Sequence, residues 1–321
     1  GTVPIEDCEI FGINFMSSSW FGCFAQVPSY DLHVSKLDPM LAVRYHQRIL
    51  KLLHAHFRRD QSAQTSARAA RFHAYRAERG ESLRRHALHD AIDERMRAVD
   101  GHRYWGWPMW PEELSEPTLP GVQAFEQAHA GLVEFHAWLQ WLADEQLGEA
   151  QALGRKLGMS IGLYGDYAVG VNPSGSETWS DQALYRKGAG VGAPPDALAL
   201  KGQDWGIPPQ DPNVLMAAQY RPFRNLVAAN MRHFGALRLD HVMALFRQWW
   251  VPAGLGSIAG GYVHYPLDDL MSVLVLESER HGCLVIGEDL GTVPPEMSHA
   301  MDDRAVYSYR VLLFAKRADG S

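Results

Sequence analysis

The chain has 321 residues, of which 46% are hydrophobic and 21% charged, and it carries a formal net charge of −7 at neutral pH. These totals fit a soluble globular protein with a real core, in one large domain or two smaller ones, and the acidic balance argues against nucleic acid or an anionic membrane as partner. Three cysteines, Cys8, Cys23 and Cys283, are too few for a disulfide framework and fit a reducing, cytoplasmic compartment.

Residues 1–40 contain Ser17-Ser18-Ser19 and scattered prolines and stay unassigned. No positively charged segment precedes the apolar residues near Phe11–Phe24, so no secretory leader is expected. No uninterrupted apolar run is long enough to span a bilayer. From Leu41 to about Gly158 the pattern is helical. Leu41, Tyr45, Ile49 and Leu52/Leu53 recur at helix spacing, and Arg68 to Arg97 is dense in Arg, Ala and Glu. Pro108, Pro111, Pro117 and Pro120 break the pattern into a loop. Leu132, Phe135, Trp138, Leu139 and Leu142 then mark an amphipathic helix running toward Gly154. A helical insertion subdomain over 41–158 is therefore predicted.

After Gly158 the texture changes. Met159–Tyr164 reads as a strand followed by Gly165-Asp166. Leu237–Asp240, Cys283–Glu288 and Tyr307–Phe314 read as three more. Helical patterns over Val214–Phe234 and Leu267–His281 lie between them. Strands alternating with helices predict a parallel sheet over 159–321. Asp166, Asp240 and Glu288 fall at predicted strand C-termini, where barrel and open α/β enzymes place their chemistry. Four strands are too few to close an eight-stranded barrel.

Carboxylates at the end of a buried strand are costly unless paired or employed. Asp240 follows Arg238 by two residues, so both side chains should face one side. The arginine would keep Asp240 ionised, as a nucleophile needs; a structural Arg–Asp ion pair would give the same pattern. Glu288 suits a general acid/base, which must be protonated near neutral pH; the alternative is a cap on the helix after Pro294. Asp289 should point the other way, as a structural partner. Two carboxylates facing one bond suit glycoside chemistry. The segments from Asp166 to Asp181 and from Gly192 to Pro209 read as ordered loops rich in turn formers. In the second, Trp205 and Gln203 could bind a sugar ring and its hydroxyls, or form a packed surface loop. The pairs His54/His56, His86/His89 and His233/His241 lack zinc-motif spacing with acidic or cysteine partners, so no metal is expected. The arginines of 58–104 are interleaved with acids, which favours a solvated helix face over a nucleic-acid patch.

Five blocks in order, IGLYGDYAVGV with ETWSD, VGAPPD with GQDWGIPPQDP, ALRLDHVMALFRQWWVP, YVHYPLDDL and VIGEDLGTVPPE, resemble the amylomaltases. These are 4-alpha-glucanotransferases allied to the alpha-amylase superfamily. The resemblance covers roughly residues 60–315. It implies a (β/α)8 barrel with helical insertions, here an incomplete one of about strands three to six. It also implies a retaining double displacement on α-1,4-glucans, with maltodextrins as donors and maltodextrins or glucose as acceptors, and no cofactor. By motif, Asp240 matches the nucleophile and Glu288 the acid/base, which predicts carboxyl groups roughly 5–5.5 Å apart. Arg238 and His241 match contacts to that site, with Asp166, Gln203, Trp205 and Trp250 as further substrate-binding residues and Trp249 as a possible wall of the acceptor groove. The family carries a third catalytic acid in a His-Asp block beyond the strand matching Tyr307–Phe314, and this chain ends at Ser321 before that block. Residues 1–40 do not match the family's first strands, and Gly165 stands where close relatives often carry Arg. An α-glucan hydrolase and a non-catalytic glucan-binding protein are the competing readings. The chain alone is expected to disproportionate maltotriose very weakly or not at all. Appreciable longer maltodextrins from the purified chain, read by chromatography of the products, would contradict this.

Overall fold

The computed structural model describes residues 39–62, 66–197, 199–291 and 293–309. The predicted unassigned segment up to residue 38, with Cys8 and Cys23, and the strand residues 310–314 lie outside the described residues. The chain divides into two compact units. Of the described residues, one holds those up to Trp105 together with Ala124–Leu139, and the other holds Gly106–Gln123 and those from Gln140 onward.

The first unit is built from α1 (Pro39–Ser62), α2 (Ala67–Asp100), the later part of α3 (Pro120–Ala128) and the first turns of α4 (Ala130–Lys156). Ser66 starts α2, its hydroxyl accepting from the Ala69 N–H at 3.3 Å, as a helix N-cap does. Gly80 breaks α2 once, at φ 53° and ψ −130°, a conformation that suits glycine alone. The core of this unit holds Phe57, Phe72, Leu88, Ile92, Phe135 and Trp138. Buried His54 packs against Phe135 and Trp138, with ring centroids 5.4 Å away in both cases. The apolar spacing of α1 correctly marks a helix but not its buried side. Tyr45, Ile49, Leu52 and Leu53 are exposed, and His54 and Phe57 turn inward.

The second unit contains β1 (Tyr164–Tyr167), α5 (Ser176–Ser180), β2 (Ala189–Ala193), β3 (Gln203–Ile207), α6 (Pro212–Ala217), α7 (Arg221–Met231), β4 (Ala236–Leu239), β5 (Arg247–Pro252), β6 (Gly261–His264), α8 (Leu267–His281), β7 (Leu284–Gly287), α9 (Pro295–Asp302) and β8 (Tyr307–Ser308). The strands β1, β4, β7 and β8 form a parallel sheet in chain order. A helix lies in each crossover, as in consecutive units of a (β/α)8 barrel. On one side of the sheet Leu237, Leu239 and Val285 join a buried apolar cluster with Val227 and Met231 of α7 and Leu270, Met271 and Leu274 of α8. Asp166 and Arg238 lie on the other side, level with Ile286.

Three sequence expectations shift. The first strand starts at Tyr164, where it was expected to end. The segment before it is taken up by Gln151, whose amide donates to Ile161 O at 3.2 Å and accepts from the Leu163 N–H at 2.6 Å. Those are bonds that a neighbouring strand would otherwise make, so Asp166 lies inside β1. Next, the helical stretch over Val214–Phe234 is two helices. They part at Gln219 and Tyr220, both left-handed with φ near 53° and 56°. Third, the predicted loop from Gly192 to Pro209 contains the end of β2 and all of β3. They pair with β5 and β6 in a second, antiparallel sheet of order β3-β2-β5-β6. Gly192 lets β2 and β3 approach, since a Cβ there would stand 2.0 Å from Gln203 O. Among the described residues no helix is long and apolar enough to cross a membrane.

In the helical unit Glu94 receives a 2.6 Å hydrogen bond from Lys51 and pairs with His136 at 3.1 Å. The His136 contact, opposed by burial and reinforced by Lys51, holds its pKa down at about 2. A carboxyl depressed in the folded state adds stability above its unfolded value, and that stability disappears as the pH falls toward the folded value. Protection of α2 amides in hydrogen exchange is therefore expected to fall between pH 4.5 and about 2. Glu94→Gln should flatten that decline.

Candidate active site

The register of the parallel sheet sets Asp166 of β1 beside Arg238 of β4, and Arg238 beside Ile286 of β7. The ladder continues one level past the strands. The Asp240 N–H donates to Tyr167 O at 3.0 Å, the Glu288 N–H to Leu239 O at 2.8 Å and the Tyr309 N–H to Gly287 O at 3.0 Å. The backbone thus aligns two carboxylates and a phenol along the C-terminal rim.

Arg238 bridges the acids. It donates to Asp166 Oδ1 at 2.8 Å and to Asp240 Oδ1 at 2.7 Å. Burial works against its charge, but the bonds and charges of Asp166 and Asp240 outweigh that and raise its pKa. The guanidinium carbon stands 5.5 Å from the centre of the Tyr309 ring, within cation–π range.

Glu288 is only 8% exposed. Its Oε2 accepts from the His241 N–H at 2.9 Å and its Oε1 from the Leu290 N–H at 2.8 Å. Its main-chain oxygen accepts from the Val242 N–H at 3.0 Å. His241 has φ 49° and ψ 60°, a left-handed conformation uncommon for a side-chain-bearing residue; it turns that N–H toward Glu288. Helix α9 begins at Pro295, and its N-cap position makes no side-chain bond. Glu288 is therefore not a helix cap. Asp289 instead accepts from the Ser308 hydroxyl and, at 3.1 Å, from the Tyr309 N–H.

The antiparallel sheet supplies a wall. Trp205 of β3 meets the His241 ring edge-on, with centroids 5.4 Å apart, and its indole N–H donates to Gln203 Oε1 at 2.9 Å. Burial lowers the pKa of His241, against the pull of Glu288 and Asp240, so its ring is neutral at pH 7. Asp166, Arg238, Asp240, His241, Glu288 and Trp205, with Gln203 bonded to it, thus form one connected set. Trp250 packs instead on the apolar core. Trp249 donates to Ser257 O and Oγ at 3.1 and 3.0 Å and meets Tyr262 edge-on at 4.9 Å.

A cavity of about 240 Å³ adjoins the acids, lined among others by Asp166, Asp240, His241 and three tyrosines, Tyr167, Tyr185 and Tyr265. The Tyr265 hydroxyl bonds Gln210 O at 2.5 Å and Gln248 Oε1 at 2.9 Å, and the Gln210 amide donates to the Tyr185 hydroxyl at 3.3 Å. Burial pushes all three phenols up, Tyr185 to about 12, so they stay neutral. These residues and Tyr309 escaped the sequence reading. Tyr167, Gln210, Gln248 and Tyr265 carried a signal, lying in the blocks IGLYGDYAVGV, GQDWGIPPQDP, ALRLDHVMALFRQWWVP and YVHYPLDDL. Among the described residues no group of three His, Cys, Asp or Glu is placed to hold a metal ion. Chemically, a carboxylate held by an arginine lines the cavity, and the neighbouring His241 joins it to a second, buried carboxylate and to an indole. That suits displacement at an acetal carbon.

Comparison with known proteins gives a consistent result. The family described as 4-alpha-glucanotransferase matches residues 30–321. A 4-alpha-glucanotransferase of Haemophilus influenzae is 43% identical over 263 residues, covering 81% of this chain and 38% of that protein. One of Mycobacterium tuberculosis is 42% identical over 232 residues, covering 70% of this chain and 32% of that protein. The chain therefore spans less than two fifths of the length of these relatives. The crystal structure of amylomaltase from Corynebacterium glutamicum superposes with a TM-score of 0.72 at 32% identity, over 88% of this chain and 36% of that one. An amylomaltase from Streptococcus agalactiae, solved with acarbose, has the same TM-score at 16% identity over 96% of this chain and 60% of that one, a likeness of fold.

A histidine whose pKa is lowered by folding adds stability above its unfolded value and loses it as the pH falls toward the lowered one. The α/β unit is thus expected to lose stability as the pH drops below about 6.5. His241→Asn, which removes the titrating ring and tolerates the left-handed backbone, should flatten that part of the profile. Urea melts at several pH values read the difference.

Proposed function

Since the chain belongs to the 4-alpha-glucanotransferase family, we propose that its site transfers α-1,4-glucan segments between maltodextrins by a retaining double displacement. The observation that carries this reading is the pairing at the strand ends, with Asp240 fixed by Arg238 and Glu288 gripped by two backbone amides of neighbouring segments. Asp240 attacks the anomeric carbon while Glu288 protonates the departing glycosidic oxygen. The 4-hydroxyl of a second glucan, or of glucose, then attacks the glycosyl–Asp240 ester and gives its proton to Glu288. Asp166 and Arg238 hold the sugar at the point of cleavage. Trp205, with Gln203 ordered against it, offers an indole face to a pyranose ring. His241, neutral through burial, can donate to or accept from a sugar hydroxyl. A cytoplasmic setting suits the three cysteines and a maltodextrin substrate.

An activated donor tests the assignment. With α-maltosyl fluoride the C1–F bond breaks as the Asp240–C1 bond forms, and fluoride leaves with the electron pair without needing a proton. The purified chain is expected to release fluoride and Asp240→Asn to release none above background. Glu288→Gln should still react once but accumulate a maltosyl adduct on Asp240, because the second step lacks its base. Equal fluoride release by the wild type and Asp240→Asn, or an adduct on another residue, would overturn the reading. Maltose without longer maltodextrins as the product from this donor would instead favour a hydrolase.

A further inference from the structure

We infer that Asp289 and Tyr309 are positioning residues for Asp240, acting through Arg238; this rests on the reading of Asp240 as the nucleophile. The path is continuous. The Asp289 carboxylate holds the Ser308 hydroxyl and, at 3.1 Å, the Tyr309 N–H. That N–H also bonds Gly287 O at 3.0 Å, so the backbone of residue 309 is clamped to the end of β7 twice. The clamped backbone sets the Tyr309 ring 5.5 Å from the Arg238 guanidinium carbon. Arg238 in turn divides its two terminal nitrogens between Asp166 and Asp240.

The division between those two acids is what the ring protects. The Asp166 side chain is 64% exposed and that of Asp240 36%, so both partners of Arg238 compete with water. A guanidinium held only by two solvated carboxylates has other rotamers available at little cost. An aromatic face beside the guanidinium favours the one geometry in which both pairs persist. Without the Asp289 clamp, the Tyr309 N–H would keep, among the described residues, its bond to Gly287 O alone. The ring would drift, Arg238 would sample other rotamers, and Asp240 would lose the partner that orients it. The pair Glu288-Asp289 thus divides its work. The first carboxylate faces the reaction, and the second ties the next strand in place so that the opposite carboxylate stays aimed.

The test reads Arg238 itself. In the 321-residue chain labelled with ¹⁵N-arginine, the two terminal nitrogens of Arg238 are expected to give separate resonances. Rotation about the guanidinium bond should be slow while each nitrogen is bonded to a different acid. Asp289→Ala and Tyr309→Leu should merge them, whereas Tyr309→Phe, which keeps the ring, should leave them separate. Fluoride release from α-maltosyl fluoride should fall on the order of 10- to 100-fold in the first two variants through kcat rather than KM, as for a misaligned reacting group. It should be retained in Tyr309→Phe. Unmerged Arg238 resonances in both Asp289→Ala and Tyr309→Leu would overturn the inference. So would merged resonances with undiminished fluoride release. Failure of the underlying reading looks different, because fluoride release would then survive Asp240→Asn.

Discussion

Arg238 between Asp166 and Asp240 is the contact on which the site depends. Two carboxylates brought to adjacent strand ends repel each other. A guanidinium between them offsets that repulsion, because its planar fork offers separate donors to separate acids. The parallel register makes this possible. It sets Asp166 level with Arg238 on neighbouring strands, and the two-residue repeat brings Asp240 back to the same side. A shift of one residue in either strand would send one partner to the helix-covered side, where Leu237 and Leu239 pack.

Glu288 is held in a different way. Among the described residues it accepts from main-chain N–H groups, those of His241 and Leu290. Backbone donors are fixed by the fold and lose no side-chain freedom when they bind. The left-handed turn at His241 serves both acids at once. It ends β4 directly after Asp240, aims an amide at Glu288 and leaves the imidazole against Trp205. Strain at such a position persists only where the surroundings over-determine it. Here the Val242 N–H on Glu288 O and the Ala244 N–H on His241 O provide that determination.

The parallel part of the fold was legible because it rests on local signals. The alternation Leu237-Arg238-Leu239 and the apolar pair Val285-Ile286 lead to the acids Asp240 and Glu288, and the helical periodicity of Leu267–His281 agrees with α8. The antiparallel sheet was not, because its strands carry little pattern. Ala189–Ala193 is built of small residues around one valine, and Gln203–Ile207 includes a glycine and alternates weakly. Such segments become strands through pairing, β2 with β5 and β3 with β2, and no local window contains β5. Gln151 made the same point at β1. A side chain in α4 replaces the partner strand that the run Met159–Leu163 seemed to call for. Of the site, Asp240, Arg238 and Glu288 were readable from spacing. The buried tyrosines were not, since a tyrosine in a core and one lining a cleft share the same neighbours in sequence.

The two sheets do different work because they arise from different parts of the same crossovers. Each β-to-β passage from β1 to β4 and from β4 to β7 leaves the parallel sheet at its C-terminal rim, contributes two strands to the antiparallel sheet and returns through a helix. The parallel ladder therefore sets the acids, and the excursions that begin beside those acids set what stands against them. Trp205 reaches His241 only because β3 pairs with β2 and β2 with β5, whose chain has just left His241 four residues before Leu245. Both ends of the arrangement are thus tied to β4. Variation in the excursions can change the wall without moving Asp240 or Glu288, whereas any change in the register of β4 moves acids and wall together. The tolerance of the site to substitution should accordingly be lowest in Ala236–His241 and highest in the turns joining β2 to β3 and β5 to β6.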